Sequence, residues 1–199
     1  MRNFKTIQDG KISELTKKRF RVLVVFGTRP ELIKLWPVIT ELRKSKMIEL
    51  YVVNTGQHDK LMEMTLIEVG VKVDLTFESL GKVRSLNQLS THLMSNISEA
   101  IDSFNPHLLL VQGDTSSAFH GALAAFQSKV KIAHVEAGLR SFDIENPYPE
   151  EFFRVSISRI ANLHFAPTPS AQKNLLEEKV PSENIFLTGN TGIDALKRA

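Results

Sequence analysis

The apolar residues of this chain follow two different patterns. Continuous apolar runs such as Arg21–Phe26 and His107–Gln112 are typical of strands buried on both faces of a sheet. Between such runs, apolar residues recur at helical spacing, as in Leu86–Phe104. The predicted strands are 21–26, 49–54, 73–77, 107–112, 131–135, 163–166 and 184–187, and the predicted helices are 30–42, 57–69, 86–104, 116–128, 150–161, 170–179 and 191–199.

The alternation of strands and helices predicts βαβ units and therefore a parallel sheet. We expect one doubly wound, Rossmann-like α/β domain over residues 20–199, because no repeat, linker or low-complexity segment interrupts the pattern. Residues 1–19 precede the first strand and are interpreted as a basic N-terminal extension. The apolar residues expected on the buried face of the second helix are Leu61, Met64, Leu66 and Ile67.

The composition, with 42% hydrophobic and 24% charged residues, is typical of a globular protein. The sequence contains no cysteine, which excludes disulfides and thiolate metal sites. No apolar run approaches the roughly 20 residues that span a bilayer, and the N-terminus lacks the apolar core of a signal peptide. We therefore expect a cytoplasmic protein that has no membrane partner.

The basic pI of about 9.1 originates in one short region. Residues 1–21 hold seven Lys and Arg against two acidic residues, although the whole chain has a net charge of only +3. The remainder of the chain is therefore slightly acidic. A short basic arm is not a groove-lining stripe, so nucleic acid is not an expected partner.

The candidate chemistry lies where the predicted strands end, because ligands of an open parallel sheet bind outside the carboxyl ends of its strands. Asp114 follows the strand 107–112, Glu136 follows the strand 131–135, and Glu150 opens a helix. Carboxyl groups in such places can act as general acids or bases. Asp114 can equally cap the next helix, and Glu136 can be a structural residue bound to backbone amides. If the three share one cleft, their mutual repulsion is expected to raise the pKa of at least one.

The turn Gly27–Glu31 joins the first strand to a helix and is a candidate anion site. Glycine lets a ligand approach the backbone, and a helix N-terminus favours an anion. Arg29 and Lys34 add positive charge that suits a phosphate group. The turn matches neither GxGxxG nor a P-loop, which disfavours a nicotinamide dinucleotide. A plain capped helix with Arg and Lys on its surface is the alternative.

The six histidines lack the tight spacing of metal ligands, so no metal site is expected. His134 lies inside a predicted strand, which favours a place in the core. His58 follows the end of a strand and is better placed to contact a ligand.

Seven short motifs occur in order along the chain. They are FGTRPELIK at 26–34, TGQH at 55–58, GDT at 113–115, HVEAGLR at 134–140, PEE at 149–151, LHFAPT at 163–168 and TGNTGIDAL at 188–196. In this combination the chain resembles the non-hydrolysing UDP-N-acetylglucosamine 2-epimerases, over about residues 20–199. Each motif alone is much less specific.

The resemblance implies the first of the two Rossmann-like domains of a glycosyltransferase-B fold, with a UDP-sugar bound between the domains. It implies an enzyme that interconverts UDP-N-acetylglucosamine and UDP-N-acetylmannosamine by eliminating UDP and adding it back with C2 inverted. This route needs no metal and no redox cofactor. The resemblance also implies a homodimer in the full-length form and a place in cell-surface polysaccharide biosynthesis.

The resemblance assigns roles to particular residues. By motif, the catalytic residues are Asp114, Glu136 and Glu150, and the substrate-binding residues are Arg29, Lys34, Gln57, His58, Glu151 and Arg154. Arg29 and Lys34 correspond to the cations on the phosphate and sugar sides. Gln57 and His58 correspond to residues near a second, activating substrate molecule in bacterial members.

The chain departs from the family pattern in three ways. Phe153 stands where the family usually has Asn, which bears on the placement of Glu150. Gly192 stands where an aliphatic residue is usual, which is expected to weaken the last helix. The family's second domain, which holds most of the uridine pocket, is missing. We therefore expect an N-terminal domain that folds but does not turn over substrate alone.

Two alternatives stay open. One is a related epimerase of a modified UDP-sugar, such as a diacetamido uronic acid, against which the GTRPE and PYPEE segments argue mildly. The other is a non-catalytic domain that only binds a sugar nucleotide. The joint presence of three acidic residues argues against the second alternative, because binding alone needs no such cluster.

Overall fold

The computed structural model describes residues 19–56, 60–78 and 85–199, so Gln57 and His58 lie outside the described residues. The strands are β1 (Phe20–Phe26), β2 (Ile48–Asn54), β3 (Leu75–Thr76), β4 (Leu108–Gln112), β5 (Lys131–Val135), β6 (Leu163–Ala166) and β7 (Ile185–Leu187). The helices are α1 (Arg29–Lys44), α2 (Lys60–Val69), α3 (Leu86–Phe104), α4 (Ser116–Gln127), α5 (Glu150–Ile160), α6 (Pro169–Glu177) and α7 (Thr191–Arg198), and a short 3₁₀ helix spans Ser182–Asn184.

The strands of the described residues form one parallel sheet in the order β3-β2-β1-β4-β5-β6-β7. Because β1 pairs with both β2 and β4, the chain runs outward from β1 to β3 and then continues from β4 on the other side. This reversal leaves a crevice between the carboxyl ends of β1 and β4, where doubly wound sheets bind their ligands. The predicted Rossmann-like α/β fold is confirmed.

Both faces of the sheet are buried. In β1, Leu23 and Val25 pack in a core with α3 and α4, whereas Val22 and Val24 pack in a second core with α1. All four side chains are at most 2% exposed. The absence of polar alternation in this strand follows from its burial on both faces.

Local end signals in the sequence explain where several helices begin. Thr115 and Thr168 cap α4 and α6 by accepting hydrogen bonds from the amides of Ala118 and Ala171, each at 3.1 Å. α1 continues through Pro37 to Lys44.

None of the helices in the described ranges is both long and apolar enough to cross a membrane.

The buried face of α2 differs from the prediction. Met62 and Thr65 are buried, whereas Leu61, Met64 and Ile67 are 53%, 50% and 80% exposed. The Thr65 hydroxyl is satisfied in its buried place, because it donates to the Leu61 carbonyl at 2.8 Å and accepts from Arg29 Nε at 3.1 Å. Helical periodicity alone does not say which of two neighbouring stripes faces the sheet.

Candidate active site

A cavity of about 260 Å³ occupies the crevice at the carboxyl ends of β1, β4 and β5. The polar side chains that line it include Lys34, Gln112, Asp114, Thr115, Glu136 and Arg154. They come from five places in the sequence: α1, the end of β4, the β4–α4 turn, the residue after β5, and α5. The parallel sheet therefore gathers residues that lie far apart in the chain at one edge.

Glu31 holds two of the turns around this cavity together. Its carboxylate accepts hydrogen bonds from the amides of Gly27 at 3.1 Å and Thr28 at 2.7 Å, and from the Thr115 hydroxyl at 2.7 Å. Burial raises the pKa of Glu31, and these hydrogen bonds oppose the increase. The spacing of Thr28 and Glu31 is that of a capping box, a signal that is visible in the sequence.

The turn after β1 also requires its glycine. A Cβ at Gly27 would lie 2.1 Å from Ser117 Oγ and 2.3 Å from Thr55 Oγ1. These two hydroxyls are themselves hydrogen-bonded at 2.6 Å. The glycine thus lets the turns after β1, β2 and β4 meet closely at the edge of the sheet.

Glu136 is held by two donors on the cavity wall. Its Oε2 lies 2.6 Å from Lys34 Nζ and also accepts a hydrogen bond from the side-chain amide of Gln112. None of the described residues donates a hydrogen bond to Oε1. The backbone of Glu136 is left-handed, with φ of +66°, a conformation that costs a non-glycine residue about 1–3 kcal/mol and that often occurs at functional sites.

Gln112 was not predicted as a site residue. It is the last residue of β4 and is only 3% exposed. A polar residue that ends an otherwise apolar strand, directly before Gly113 and Asp114, was the signal available in the sequence. No signal in the sequence indicated that its partner would be Glu136, which follows the neighbouring strand.

Asp114 forms the second carboxylate of the cavity and contacts the guanidinium of Arg154. Burial raises the pKa of Asp114, Arg154 opposes the increase, and the nearby charges of Glu136 and Glu150 add to it. The direction agrees with the prediction for the three carboxylates, although burial contributes more than their repulsion. A carboxyl group with a raised pKa is better suited to donate a proton near neutral pH.

Glu151 forms an ion pair with Arg154 on the side away from the cavity. It is 1% exposed, its Oε2 lies 3.5 Å from Arg154 Nε, and its Oε1 accepts the amide of Phe142 at 3.1 Å. It does not line the cavity. Its contacts hold the cation and the segment before α5 in place.

Two further predicted site residues, Glu150 and Arg29, do not line the cavity. Glu150, the first residue of α5, is close enough to affect the pKa of Asp114 but does not line the cavity. Arg29 is exposed at the start of α1, and its Nε donates to Thr65 Oγ1 at 3.1 Å. The structure thus brings Lys34, Asp114 and Glu136 together with Arg154 and leaves Glu150, Glu151 and Arg29 outside the cavity lining.

Phe153 takes no part in the cavity. Its ring stacks on Phe119 of α4 with centroids 4.7 Å apart and planes at 10°, and it is 7% exposed. Phe152 and His120 complete this aromatic cluster. Phe153 therefore packs α5 against α4.

His134 is a core residue, as predicted. It is completely buried, and its Nε2–H donates to the Gly113 carbonyl at 2.7 Å. Burial lowers the pKa of His134 to about 3. Among the described residues, no group of three or more His, Asp or Glu side chains is placed to hold a metal ion.

The buried His134 predicts a loss of stability in acid. Its folded-state pKa of about 3 lies below the ordinary value of 6.5, so the unfolded chain binds its proton first as the pH falls. The stability linked to His134 is present above pH 6.5 and decreases toward pH 3, by about 2 kcal/mol at pH 5. His134→Gln, which retains a donor for Gly113, is expected to lose less stability between pH 7 and pH 5 in urea unfolding. Equal losses in both proteins would contradict this account.

Comparison with known proteins identifies the family. The family model for UDP-N-acetylglucosamine 2-epimerase matches residues 40–199. The UDP-N-acetylglucosamine 2-epimerase of Neisseria meningitidis is 42% identical over 88% of this chain and 47% of its own length. The enzyme of that name from Bacillus subtilis is 41% identical over 90% of this chain and 47% of its own length.

Solved structures agree with these matches. The UDP-GlcNAc 2-epimerase of Neisseria meningitidis bound to UDP-GlcNAc superposes with a TM-score of 0.87 at 41% identity, over 90% of this chain and 49% of that one. The Methanocaldococcus jannaschii enzyme in complex with UDP-GlcNAc and UDP gives 0.83 at 34% identity, over 90% and 49%. The chain spans about half the length of the curated relatives it matches. On this match of family model, relatives and fold, the chain belongs to the UDP-N-acetylglucosamine 2-epimerase family.

Proposed function

We propose that this chain is the acid–base half of an enzyme that interconverts UDP-N-acetylglucosamine and UDP-N-acetylmannosamine. The observation that carries the proposal is the pair of carboxylates, Asp114 and Glu136, each in contact with a cation across one cavity. Relatives with the same fold bind UDP-GlcNAc. A binding surface alone has no need of two partly buried carboxylates at one cleft.

The proposed reaction removes the C2 proton while the bond between C1 and the UDP oxygen breaks, which leaves an unsaturated sugar and free UDP. UDP then adds back to C1, and a proton returns to the other face of C2. Glu136 suits the role of proton acceptor, because its Oε1 receives no hydrogen bond from the described residues. Asp114 suits the role of proton donor, because burial raises its pKa. Glu150, at the cavity margin, is the third candidate for proton transfer.

In this proposal the two cations, Lys34 and Arg154, also bind the diphosphate of the substrate. Lys34 is paired with Glu136, and Arg154 is paired with Asp114. A diphosphate carries more negative charge than either carboxylate and competes for both cations. Substrate binding therefore draws Lys34 and Arg154 toward the leaving group and releases the two carboxylates for proton transfer. Arg29, exposed near the cavity, adds charge for the approaching phosphates.

We also propose that a second domain completes the site. The cavity is lined by groups suited to a diphosphate and a sugar, and the described residues around it offer no aromatic side chain on which uracil could stack. Stabilisation of a leaving UDP needs contacts from both sides in a closed, dry cleft. This domain by itself is expected to bind UDP only with a Kd of roughly 1 mM, about −4 kcal/mol.

A turnover experiment tests the proposed function. The purified chain is incubated with UDP-GlcNAc in deuterated water, and deuterium at C2 is followed by NMR. We expect no exchange by the chain alone, and exchange once the second half of a relative is supplied with it. Uridine, which lacks the diphosphate, is the control ligand when UDP binding is measured, and it is expected not to bind. Exchange by the chain alone at the rate of a full-length relative would overturn the half-site proposal, and UDP binding without exchange in the completed protein would favour a non-catalytic domain.

A further inference from the structure

Arg140 ends the HVEAGLR motif, yet it does not line the cavity. Its side chain is 1% exposed and forms a two-pronged ion pair with Glu178, with Nε to Oε1 at 2.6 Å and Nη2 to Oε2 at 2.9 Å. The same guanidinium donates to the Leu139 carbonyl at 2.6 Å and to Ser158 Oγ at 2.9 Å. Arg140 thus joins the segment after β5 to α5 and to the end of α6.

The residues before Arg140 rest on the same support. The Gly138 carbonyl accepts a hydrogen bond from the Asn174 side chain of α6 at 3.0 Å, and the Ala137 amide donates to the Phe165 carbonyl of β6 at 3.0 Å. Gly138 has φ of +90°, and a Cβ there would lie 2.2 Å from the Ala171 carbonyl oxygen. The backbone is therefore held against β6 at residue 137 and against α6 at residue 138, and the side chain of Arg140 ties the end of the segment to Glu178.

Glu136 directly precedes this fixed segment, and its backbone is in the left-handed region. Such a conformation persists only where the surrounding structure imposes it. The side-chain contacts of Glu136, to Lys34 and Gln112, come from α1 and β4 and so do not account for the backbone conformation. The fixed segment on α6 is the part of the structure that can impose it.

We propose that Glu178, acting through Arg140, is a positioning residue for Glu136. The pair holds the segment 137–140 on α6, a helix that contributes no side chain to the cavity lining, and so sets the direction in which the Glu136 carboxylate projects. The chemical role of Glu136 rests on the proposed function, whereas the positioning itself does not. The fork geometry matters as well as the charge, because two parallel hydrogen bonds fix an orientation that a point charge does not.

The pKa of Glu178 agrees with this geometry. Its hydrogen bonds with Arg140 hold the pKa of Glu178 below its usual range, with further contributions from the charges of Arg140 and Arg159. Arg159 adds a hydrogen bond from Nη1 to the Glu178 carbonyl at 2.8 Å. Glu178 is therefore held both by its side chain and by its backbone at the C-terminus of α6.

The test uses Glu178→Gln in the whole chain and two NMR measurements that do not depend on turnover. The exchange rate of the Ala137 amide, next to Glu136, is expected to rise at least about tenfold, because the segment opens locally. The carboxyl ¹³C signal of Glu136 is expected to shift, because the carboxylate moves relative to Lys34. The Thr55 amide and the carboxyl signal of Glu31, which are held by other elements, are expected to stay unchanged.

Matched variants separate positioning from simple stabilisation. Glu183→Gln removes the same charge from an exposed residue of the 3₁₀ helix and is expected to change nothing. Arg140→Lys keeps the charge, loses the fork, and is expected to behave as Glu178→Gln does. If Glu178→Gln does not fold, Glu178→Asp takes its place, because it keeps the negative charge and shortens the side chain. This variant is expected to shift the Glu136 signal by a smaller amount.

Two results overturn the proposal. In one, all amides including that of Thr55 exchange faster by the same factor while the Glu136 signal stays in place, which makes the pair a general stabiliser. In the other, Arg140→Lys leaves both reporters unchanged. A shift of the Glu136 signal in Glu178→Gln, together with full epimerisation by Glu136→Gln in a two-domain form, would instead sustain the positioning and reject the proposed function.

Discussion

Glu136→Gln is expected to abolish epimerisation in a form of the protein that includes a second domain. Gln keeps the shape of the side chain and its contact with Gln112, but it cannot accept and return a proton at neutral pH. Loss of a positioned acid or base lowers the rate by roughly 10²–10⁴-fold. UDP affinity is expected to change little, because the variant removes no cation from the cavity. Steady-state rates and UDP titrations measure the two effects separately.

Glu145→Gln is the control for that substitution. Glu145 is exposed in the same connection between β5 and α5 and has no side-chain hydrogen bond to the described residues, so its loss is expected to leave both rate and affinity unchanged. Activity of Glu136→Gln comparable to that of the parent would show that Glu136 has a structural role, bound by Lys34 and Gln112 only to close the turn after β5.

Gly138→Ala is expected to destabilise the fold by about 3 kcal/mol or more. The φ of +90° disfavours any side chain, and the added Cβ would meet the Ala171 carbonyl at 2.2 Å, a backbone atom of α6 that cannot move without displacing the helix. Urea unfolding measures the loss. The same variant is expected to disturb Glu136, two residues earlier, more than the elements on the β2 side of the sheet.

Gly70→Ala provides the comparison for Gly138→Ala. Gly70 also has a positive φ, +63°, but no atom lies within 4 Å of the position that its Cβ would take. The substitution is therefore expected to lower the free energy of unfolding by about 1 kcal/mol, because it strains the backbone without causing a steric clash. Similar losses for the two glycines would mean that α6 yields to the new methyl group, and that the segment 137–140 is less firmly fixed than its contacts indicate.

The order of strands and helices was predictable from the sequence because burial on both faces leaves a local signature. β1 and β4 are continuous apolar runs, and the turns after them contain a glycine and a capping threonine. The edge of the sheet where the cavity lies was predictable too, because every parallel strand ends on the same side. Asp114 and Glu136 both follow such strand ends, and both line the cavity.

The pairing of groups within that edge was not predictable. Lys34 and Glu136 are 102 residues apart and Glu31 and Thr115 are 84 apart, so their contacts depend on which strands become neighbours. Glu150 and Glu151 are adjacent in the sequence, yet helical rotation sends one to the cavity margin and buries the other behind Arg154. On α2, the buried Thr65 accepts a hydrogen bond from Arg29, a contact across 36 residues that periodicity does not encode.

The fold class, the family and the set of chemically capable residues could all be derived from the order of amino acids, because apolar periodicity, turn residues and short motifs are local properties of a chain. The three-dimensional packing set how those residues act on one another. It paired Glu136 with Lys34 and Asp114 with Arg154, buried Asp114 enough to raise its pKa, and set Gln112 beside Glu136. The physical reason is that electrostatic and steric interactions depend on distance in space, and the register of β4 beside β1 and β5 sets that distance.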